Sequence, residues 1–581
     1  MRETTWMVEL KMMTPSTKDT KVAYFSMEIA LESDLPTYSG GLGVLAGDTL
    51  RSAADLELPM VAATLTYSTG YFYQMIDPSG YQTERPIHWE FASELKQAKE
   101  VITLPIEDKT FKVKAWEYDV IGTSGHVIKV FLLDSDVEGN EPWQRNFTHV
   151  LYDTTPYQRA VAEMILGIGG VKLLRRLGYD GIETYHMNEG HASMLTLELL
   201  DQFGGDLEEV RRRCVFTTHT PVPAGHDQFE YEIIDKIFWG RQPPNLRELA
   251  GKDKFNTTTL AINMSRYVNA VSRKHAEVSR QMFPGREIDH VTNGVHAAFW
   301  VCKPMKKLFD KAMPGWHLHP SFLNMANEID DEDLWTAHLK AKKELVDYEK
   351  SHSWILLDKR LLTVGFARRI TNYKRPTLLF HDLERLAQVA KKKVQFVFAG
   401  KSHPRDEGAK QHIRRIHEHG EYLWDSYRVR VVFLENYDMD LAHILVSGVD
   451  LWLNNPTRYL EASGTSGMKA ALNGVPNFSV LDGWWIEGYE MDPLAGWAIG
   501  PAPDEPDAHV NDDARDANDI YSKLEEEIIP TFRYRRDEWV KRMKHSIKLG
   551  AYFNTHRMVY EYVAKSYQLE RQPRWRSIAL Q

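Results

Sequence analysis

Apolar and polar positions along the chain follow two regimes, short runs of strand length and longer stretches with helical spacing, the pattern of a parallel sheet with crossover helices. In the first half this predicts strands at Val22–Met27, Met60–Leu65, Glu183–Met187, Val215–Thr218, Tyr267–Val271 and His290–Thr292. Thr103 to Leu133 alternates residue by residue and reads as an inserted antiparallel piece. Thr154 to Leu177 is helical although Gly167-Ile-Gly-Gly interrupts it; no strand precedes those glycines, so close helix packing is a better reading than a dinucleotide fingerprint.

The second half starts afresh. Trp300 to Asn327 reads as irregular, and Asp330-Asp-Glu-Asp then signals a helix start, where acids meet the positive end of the dipole. Strands are predicted at Leu361–Ala367, Val394–Ala399, Arg428–Leu434, Val449–Leu453 and Asn477–Leu481, and Pro501 to Asp519 reads as a solvated loop. The pattern predicts an α/β protein with two doubly wound domains, residues 1–295 and 296–550, and a helical segment 551–581 that packs back on the first. Ligands in such sheets bind beyond the carboxyl ends of the strands, so functional residues belong just after the strands named.

Composition narrows the class. With 581 residues, 43% hydrophobic and 26% charged, the chain is an ordinary globular protein, and its net charge of −10 argues against a nucleic-acid binder. Cys214 and Cys302 support neither a disulfide framework nor a thiolate metal site. Met1 to Lys21 has no continuous apolar stretch of the signal-peptide kind, and no run is long enough to cross a bilayer, so a cytoplasmic location without membrane partners is expected. The charge is uneven: Pro501 to Ile520 holds seven acids and one base, whereas Val364 to Phe380 holds no acid.

Three segments carry candidate chemistry. Tyr38-Ser-Gly-Gly-Leu-Gly43 joins a strand to a helix, where glycines admit a ligand close to free amides. In Gly365-Phe-Ala-Arg-Arg-Ile-Thr-Asn-Tyr-Lys-Arg375 four bases, Arg368, Arg369, Lys374 and Arg375, follow a strand and suit an anion better than a solvated face. Leu460-Glu-Ala-Ser-Gly-Thr-Ser-Gly-Met-Lys469 places small residues before a helix and a lysine in its first turn. The dipole and neighbouring cations there disfavour the charged amine, which favours attack on a carbonyl; an ordinary surface lysine is the competing reading. His186 to His191 and Thr217 to Pro223 also follow strands, and His219 could bond a sugar hydroxyl or be an ordinary core histidine. His412, His417 and His419 lack dependable ligand spacing and read as a solvated helix face, so no metal is expected.

The run Glu461 to Lys469 resembles the pyridoxal-phosphate segment of the α-glucan (glycogen, starch, maltodextrin) phosphorylases. Gly40-Gly-Leu-Gly43, Asn188-Glu-Gly-His191, Thr292-Asn-Gly294 with Trp300, Arg369-Ile-Thr-Asn-Tyr-Lys-Arg375 and Phe433-Leu-Glu-Asn-Tyr437 resemble further family motifs in family order, most closely those of the short bacterial and archaeal branch. The resemblance implies a GT-B fold, two Rossmann-like domains with the active site between them. It implies that Lys469 holds pyridoxal 5′-phosphate as a Schiff base, with Tyr437 and Trp300 near the ring and Thr465, Ser466, Arg368 and Lys374 near the cofactor phosphate. By the same matching, Arg369, Lys374 and the Gly41 amide would hold substrate phosphate, and Glu461, Ser463, Gly464, Asn293 and His219 would bind the glucosyl unit.

Departures from the family pattern are Ser466-Gly467 for the usual Gly-Asn, Arg368 for Lys, Thr371 for His, and Ala30 for a tyrosine. The implied reaction is phosphorolysis of terminal α-1,4-linked glucose to α-glucose 1-phosphate with retention, the four bases offsetting repulsion between two phosphates. A glycogen-synthase-like glucosyltransferase using a nucleotide sugar shares the fold but needs no Schiff-base lysine, and a silent glycan-binding protein needs neither. Family members are often homodimers, which makes a second copy an expected partner.

Overall fold

A computed structural model describes residues 14–569 except 153 and 354. Part of the segment read above for a leader, residues 1–13, and the tail 570–581 lie outside the described residues.

The N-terminal half forms β1 (Val22–Ser26), β2 (Met60–Leu65), a hairpin of β3 (Tyr73–Ile76) and β4 (Gln82–Arg85), then β5 (Lys96–Gln97), β6 (Ile102–Ile106), β7 (Lys109–Ile121) and β8 (Val127–Asp134). It continues with β9 (Thr184–Asn188), β10 (Cys214–Thr217), the small pair β11 (Gln228–Phe229) and β12 (Phe255–Asn256), β13 (Tyr267–Ala270) and β14 (Asp289–His290). The main sheet runs β14-β13-β10-β9-β1-β2-β8-β7-β5 and is parallel from β14 to β8. β1, β2, β9 and β10 are buried along their whole length, which is why they read as continuous apolar runs. The antiparallel piece is not a separate insertion: β8 pairs with β2, so β6 and β7 extend the same sheet.

The second sheet contains β15 (Leu362–Ala367), β16 (Val394–Ala399), β17 (Val431–Leu434), β18 (Leu451–Asn454), β19 (Asn477–Val480) and β20 (Gly496–Ile499). Its order β17-β16-β15-β18-β19-β20, all parallel, is that of a doubly wound Rossmann sheet. The order reverses between β15 and β18, and this switch point opens the crevice where such sheets bind ligands. β20 escaped the sequence reading because it is short and opens on Gly496.

The Gly167–Gly170 cluster serves packing. The helix passes through it as a π-helical turn, and a Cβ on Gly167 would lie 2.5 Å from the Leu195 amide and one on Gly170 2.6 Å from the Phe25 ring. Two expectations are corrected. Trp300 to Asn327 is largely helical, with Met305, Leu308 and Phe309 buried on one face of Lys303–Ala312 and a 3-10 helix at Pro320–Glu328. The acidic stretch is a loop only as far as Asp512, which caps the helix Asp513–Lys523 through a bond to Arg515 N.

Several contacts tie the halves together. Gln74 in the β3–β4 hairpin bonds Asn436 in both directions and donates to Gly400 O, and Gln82 exchanges two bonds with Ser402. The C-terminal helix Thr555–Tyr562 packs on the helix Gly41–Asp55, where Ser52 Oγ and Thr555 Oγ1 are 2.6 Å apart, and Tyr567 OH lies 2.8 Å from His186 Nδ1. Among the described residues no helix is long and apolar enough to cross a membrane.

Candidate active site

The switch point of the second sheet brings together the loops after β15 and β18. From the first come Arg368 and Lys374, and both bond Glu461 Oε2 in the second, Arg368 at 2.6 Å. All three side chains are buried. Burial alone would raise the Glu461 carboxyl, but the charges and hydrogen bonds of Arg368 and Lys374 outweigh it and hold the group near about 2. Arg368 keeps Nε and Nη1 buried without a hydrogen-bond partner. Arg369 is accessible to solvent although deep in the molecule, so it projects into the open crevice, facing Tyr373, Tyr71, Glu28 and Tyr152.

The fourth base does something else. Arg375, at φ 47°, turns away and donates to Asn455 O and Pro456 O while pairing with Asp513 and Asp516. Asp516 also takes both terminal nitrogens of buried Arg458 at 2.6 and 2.8 Å. Part of the acidic stretch therefore neutralises structural arginines, and the expectation that Arg375 belongs to the anion cluster is corrected.

Lys469 is buried on the helix Ser466–Leu472. Its Nζ lies 3.8 Å over the Trp300 ring, and Asn473 on the same segment joins Trp300 O and Cys302 N. Burial lowers the amine to about 8; Asp48 opposes that shift and Arg51 adds to it. The sequence reading anticipated the direction, but burial rather than the helix dipole is the principal cause. Gly467 permits this fit, since a Cβ there would lie 2.3 Å from Asn477 Oδ1. Thr465 stands at the N-cap, and Ser466 Oγ accepts from Trp452 Nε1 at 3.2 Å. Tyr437 follows β17, and burial raises its hydroxyl.

From the first sheet come the residues beyond β1, β9, β10 and β14. Glu28 accepts from Ser39 N and Gly40 N and from Tyr152 OH, which fixes the glycine loop. Gly41 opens the helix with free space around its Cα. His219 donates its amide to Glu189 Oε2, with its Nε2 2.7 Å from Asn188 Oδ1, and burial lowers the imidazole to about 4. Asn293 Oδ1 and Ser463 Oγ are buried without partners, and Gly464 takes φ +86° between Ser463 and the lysine helix. Ser272 Oγ donates to Ala462 O at 2.7 Å, so the carboxyl end of the first sheet touches the Glu461 loop directly.

The three histidines of the Glu407–Tyr427 helix do not converge. His412 meets Thr377 and Asn372, His417 the Phe433 ring and His419 the Phe380 ring, so they form a partly buried flank rather than a fully solvated face. Asp48, Asp482, Glu28 and His443 also border the site and escaped the sequence reading. Asp482 had a signal, an acid directly after a strand: it accepts from Glu461 N and Gly483 N and is raised to about 7 by burial. Asp48 lies within a helix and had none.

Two Rossmann-like halves meeting at the carboxyl ends of both sheets, with a buried lysine and a basic cluster between them, define an α/β protein of the GT-B class. A family model described as carbohydrate phosphorylase matches residues 245–491. The chain is 40% identical to the maltodextrin phosphorylase of Thermococcus litoralis over 94% of this chain and 70% of that one. It is 36% identical to the glycogen phosphorylase of Aquifex aeolicus (94% and 86% covered) and 35% identical to that of Mycobacterium tuberculosis (94% and 71% covered). The chain belongs to the carbohydrate phosphorylase family.

Proposed function

We propose that this chain is an α-glucan phosphorylase, which transfers the terminal α-1,4-linked glucose of a glycogen or maltodextrin chain to inorganic phosphate and releases α-glucose 1-phosphate with retained configuration. The observation that carries the reading is the buried pairing of Arg368 and Lys374 on the Glu461 carboxylate at the same sheet's switch point as Lys469, a buried lysine of lowered basicity over the Trp300 ring. The three relatives named above are phosphorylases, and the nucleotide-sugar alternative is set aside.

Arg369, Lys374 and the Gly41 amide hold the phosphate; fixed donors in a water-poor crevice stabilise its charge more strongly than solvent does. The phosphate gives a proton to the departing glycosidic oxygen and then bonds to C1 on the face just vacated, which retains configuration. Glu461, Ser463, Gly464, Asn293 and His219 orient the glucosyl unit. The half-buried imidazole of His219, lowered to about 4, is neutral at pH 7 and suited to a sugar hydroxyl.

The residues fit pyridoxal 5′-phosphate. Lys469 is a largely buried amine able to bond its aldehyde, Trp300 and Tyr437 would lie near the ring, and Thr465, Ser466, Arg368 and Lys374 would hold its phosphate. When bound, the group supplies a second titratable phosphate beside the substrate's. Residues 1–295 and 296–550 are proposed as the two domains, with 551–581 as the returning segment.

The test is release of glucose 1-phosphate from maltodextrins of graded length, with and without added pyridoxal phosphate. Release should require inorganic phosphate, and Lys469→Ala should abolish both release and the cofactor's absorbance. Undiminished release by that variant overturns the assignment.

A further inference from the structure

Asp48 lies on the buried face of the helix that begins at the glycine loop and is 1% exposed. Its Oδ2 accepts from Trp300 Nε1 at 2.7 Å and from His296 N at 3.1 Å, which fixes this helix to the segment leading into the second half. On the other side of that contact, Lys469 Nζ rests 3.8 Å over the same Trp300 ring. Both bonds to Oδ2 come from neutral donors, so an asparagine could accept them without the cost of burying a charge. A carboxylate at this position therefore needs a cation. Arg51 is near, 3.4 Å from Oδ1, but its guanidinium is also committed to Leu31 O and lies 3.9 Å over the Phe299 ring. Arg51 is thus its ion-pair partner, and Lys469 is the second cation that its charge favours, against the burial that lowers the amine.

We propose that Asp48 is the positioning residue of Lys469: it fixes the Trp300 indole against which the amine rests, and it supplies the fixed negative charge opposite the lysine nitrogen. This rests on the reading of Lys469 given above and extends it to a residue that touches neither sugar nor phosphate. The charged and titratable groups facing the amine are Asp48 and Arg51 on the helix Gly41–Asp55 and His443 on the helix Met439–Gly448. His443 is stacked on Trp300 with centroids 4.4 Å apart, and burial together with Lys469 lowers it to about 4, which keeps it neutral at pH 7. Asp48 is thus the anion set against Arg51.

Asp48→Asn keeps an acceptor for the indole and removes the charge; Arg51→Gln removes the opposing cation and leaves the carboxylate. In the cofactor-free full chain, the pH dependence of Lys469 acetylation by acetic anhydride, read by peptide mass spectrometry, should shift down by about one pH unit in Asp48→Asn and up in Arg51→Gln. In the chain loaded with pyridoxal phosphate, the pH at which the bound cofactor's absorbance changes should move in the same directions. An unmoved midpoint in Asp48→Asn, or a downward shift in Arg51→Gln, overturns the proposal, because a purely structural Asp48 would change only the unfolding temperature. A wild-type chain that takes up no pyridoxal phosphate but shows the acetylation shifts removes the cofactor reading and leaves Asp48's role standing.

Discussion

Arg368 and Arg375 lie seven positions apart in one basic run and have opposite fates. Arg368 bonds Glu461 and keeps two donors unspent, whereas every nitrogen of Arg375 is committed to Asn455, Pro456, Asp513 or Asp516. Arg368→Gln is therefore expected to weaken pyridoxal phosphate binding about tenfold, roughly the 1.4 kcal/mol of one charge-assisted hydrogen bond, and to destabilise less than loss of Arg375, because Lys374 still pairs with Glu461. Arg375→Gln should do the reverse, costing about 3 kcal/mol of stability by stripping a partner from buried charges while leaving cofactor affinity near wild type in the folded protein. Cofactor titrations and thermal melts on both variants decide it; equal effects on cofactor affinity would contradict the division of labour. The run's basic character was legible from spacing, but the direction of each side chain was not, because it depends on acids far along the chain, Glu461 for Arg368 and Asp513 and Asp516 for Arg375.

At the scale of elements, the predicted strand centres stand within a residue or two of the observed ones, because a strand buried on both faces leaves a continuous apolar run. Val394–Ala399 and Met60–Leu65 agree to the residue. The errors fall where local chemistry obscured periodicity: prolines and histidines hid the helix Lys303–Ala312, and an acid-rich start hid Asp513–Lys523. The glycines of the Pro156–Arg176 segment were read correctly as packing residues, and their contacts set the cost of filling them. Gly167→Val is expected to destabilise by about 2–3 kcal/mol, since the backbone at Met194 and Leu195 cannot yield as a flexible side chain would. A chemical-denaturation midpoint equal to wild type would show that the helices can separate freely.

Over the whole molecule, the C-terminal helix closes on the first half through buried imidazoles. His186 and His556 are both lowered by burial to about 3. The unfolded chain therefore binds more protons than the folded one between about pH 6.5 and pH 3, so the stability these groups contribute is full above about 6.5 and declines as pH falls. At pH 5 each costs up to about 2 kcal/mol. Melting temperature should drop between pH 7 and pH 5, and His556→Gln should flatten the drop; a profile flat in both proteins would show that the imidazoles are not held neutral. The sequence by itself determined the α/β class, the two parallel sheets and the segments from which the site is built, because strand burial and strand-to-helix turns are written in residues close together in the chain. Tertiary structure alone decided which bases face the crevice, why Lys469 is a weak base and where Asp48 stands. Desolvation and charge pairing are set by neighbours far apart in sequence; folding of the second sheet brings the bases to their acids, and its meeting with the first brings Asp48 and Arg51 to Lys469.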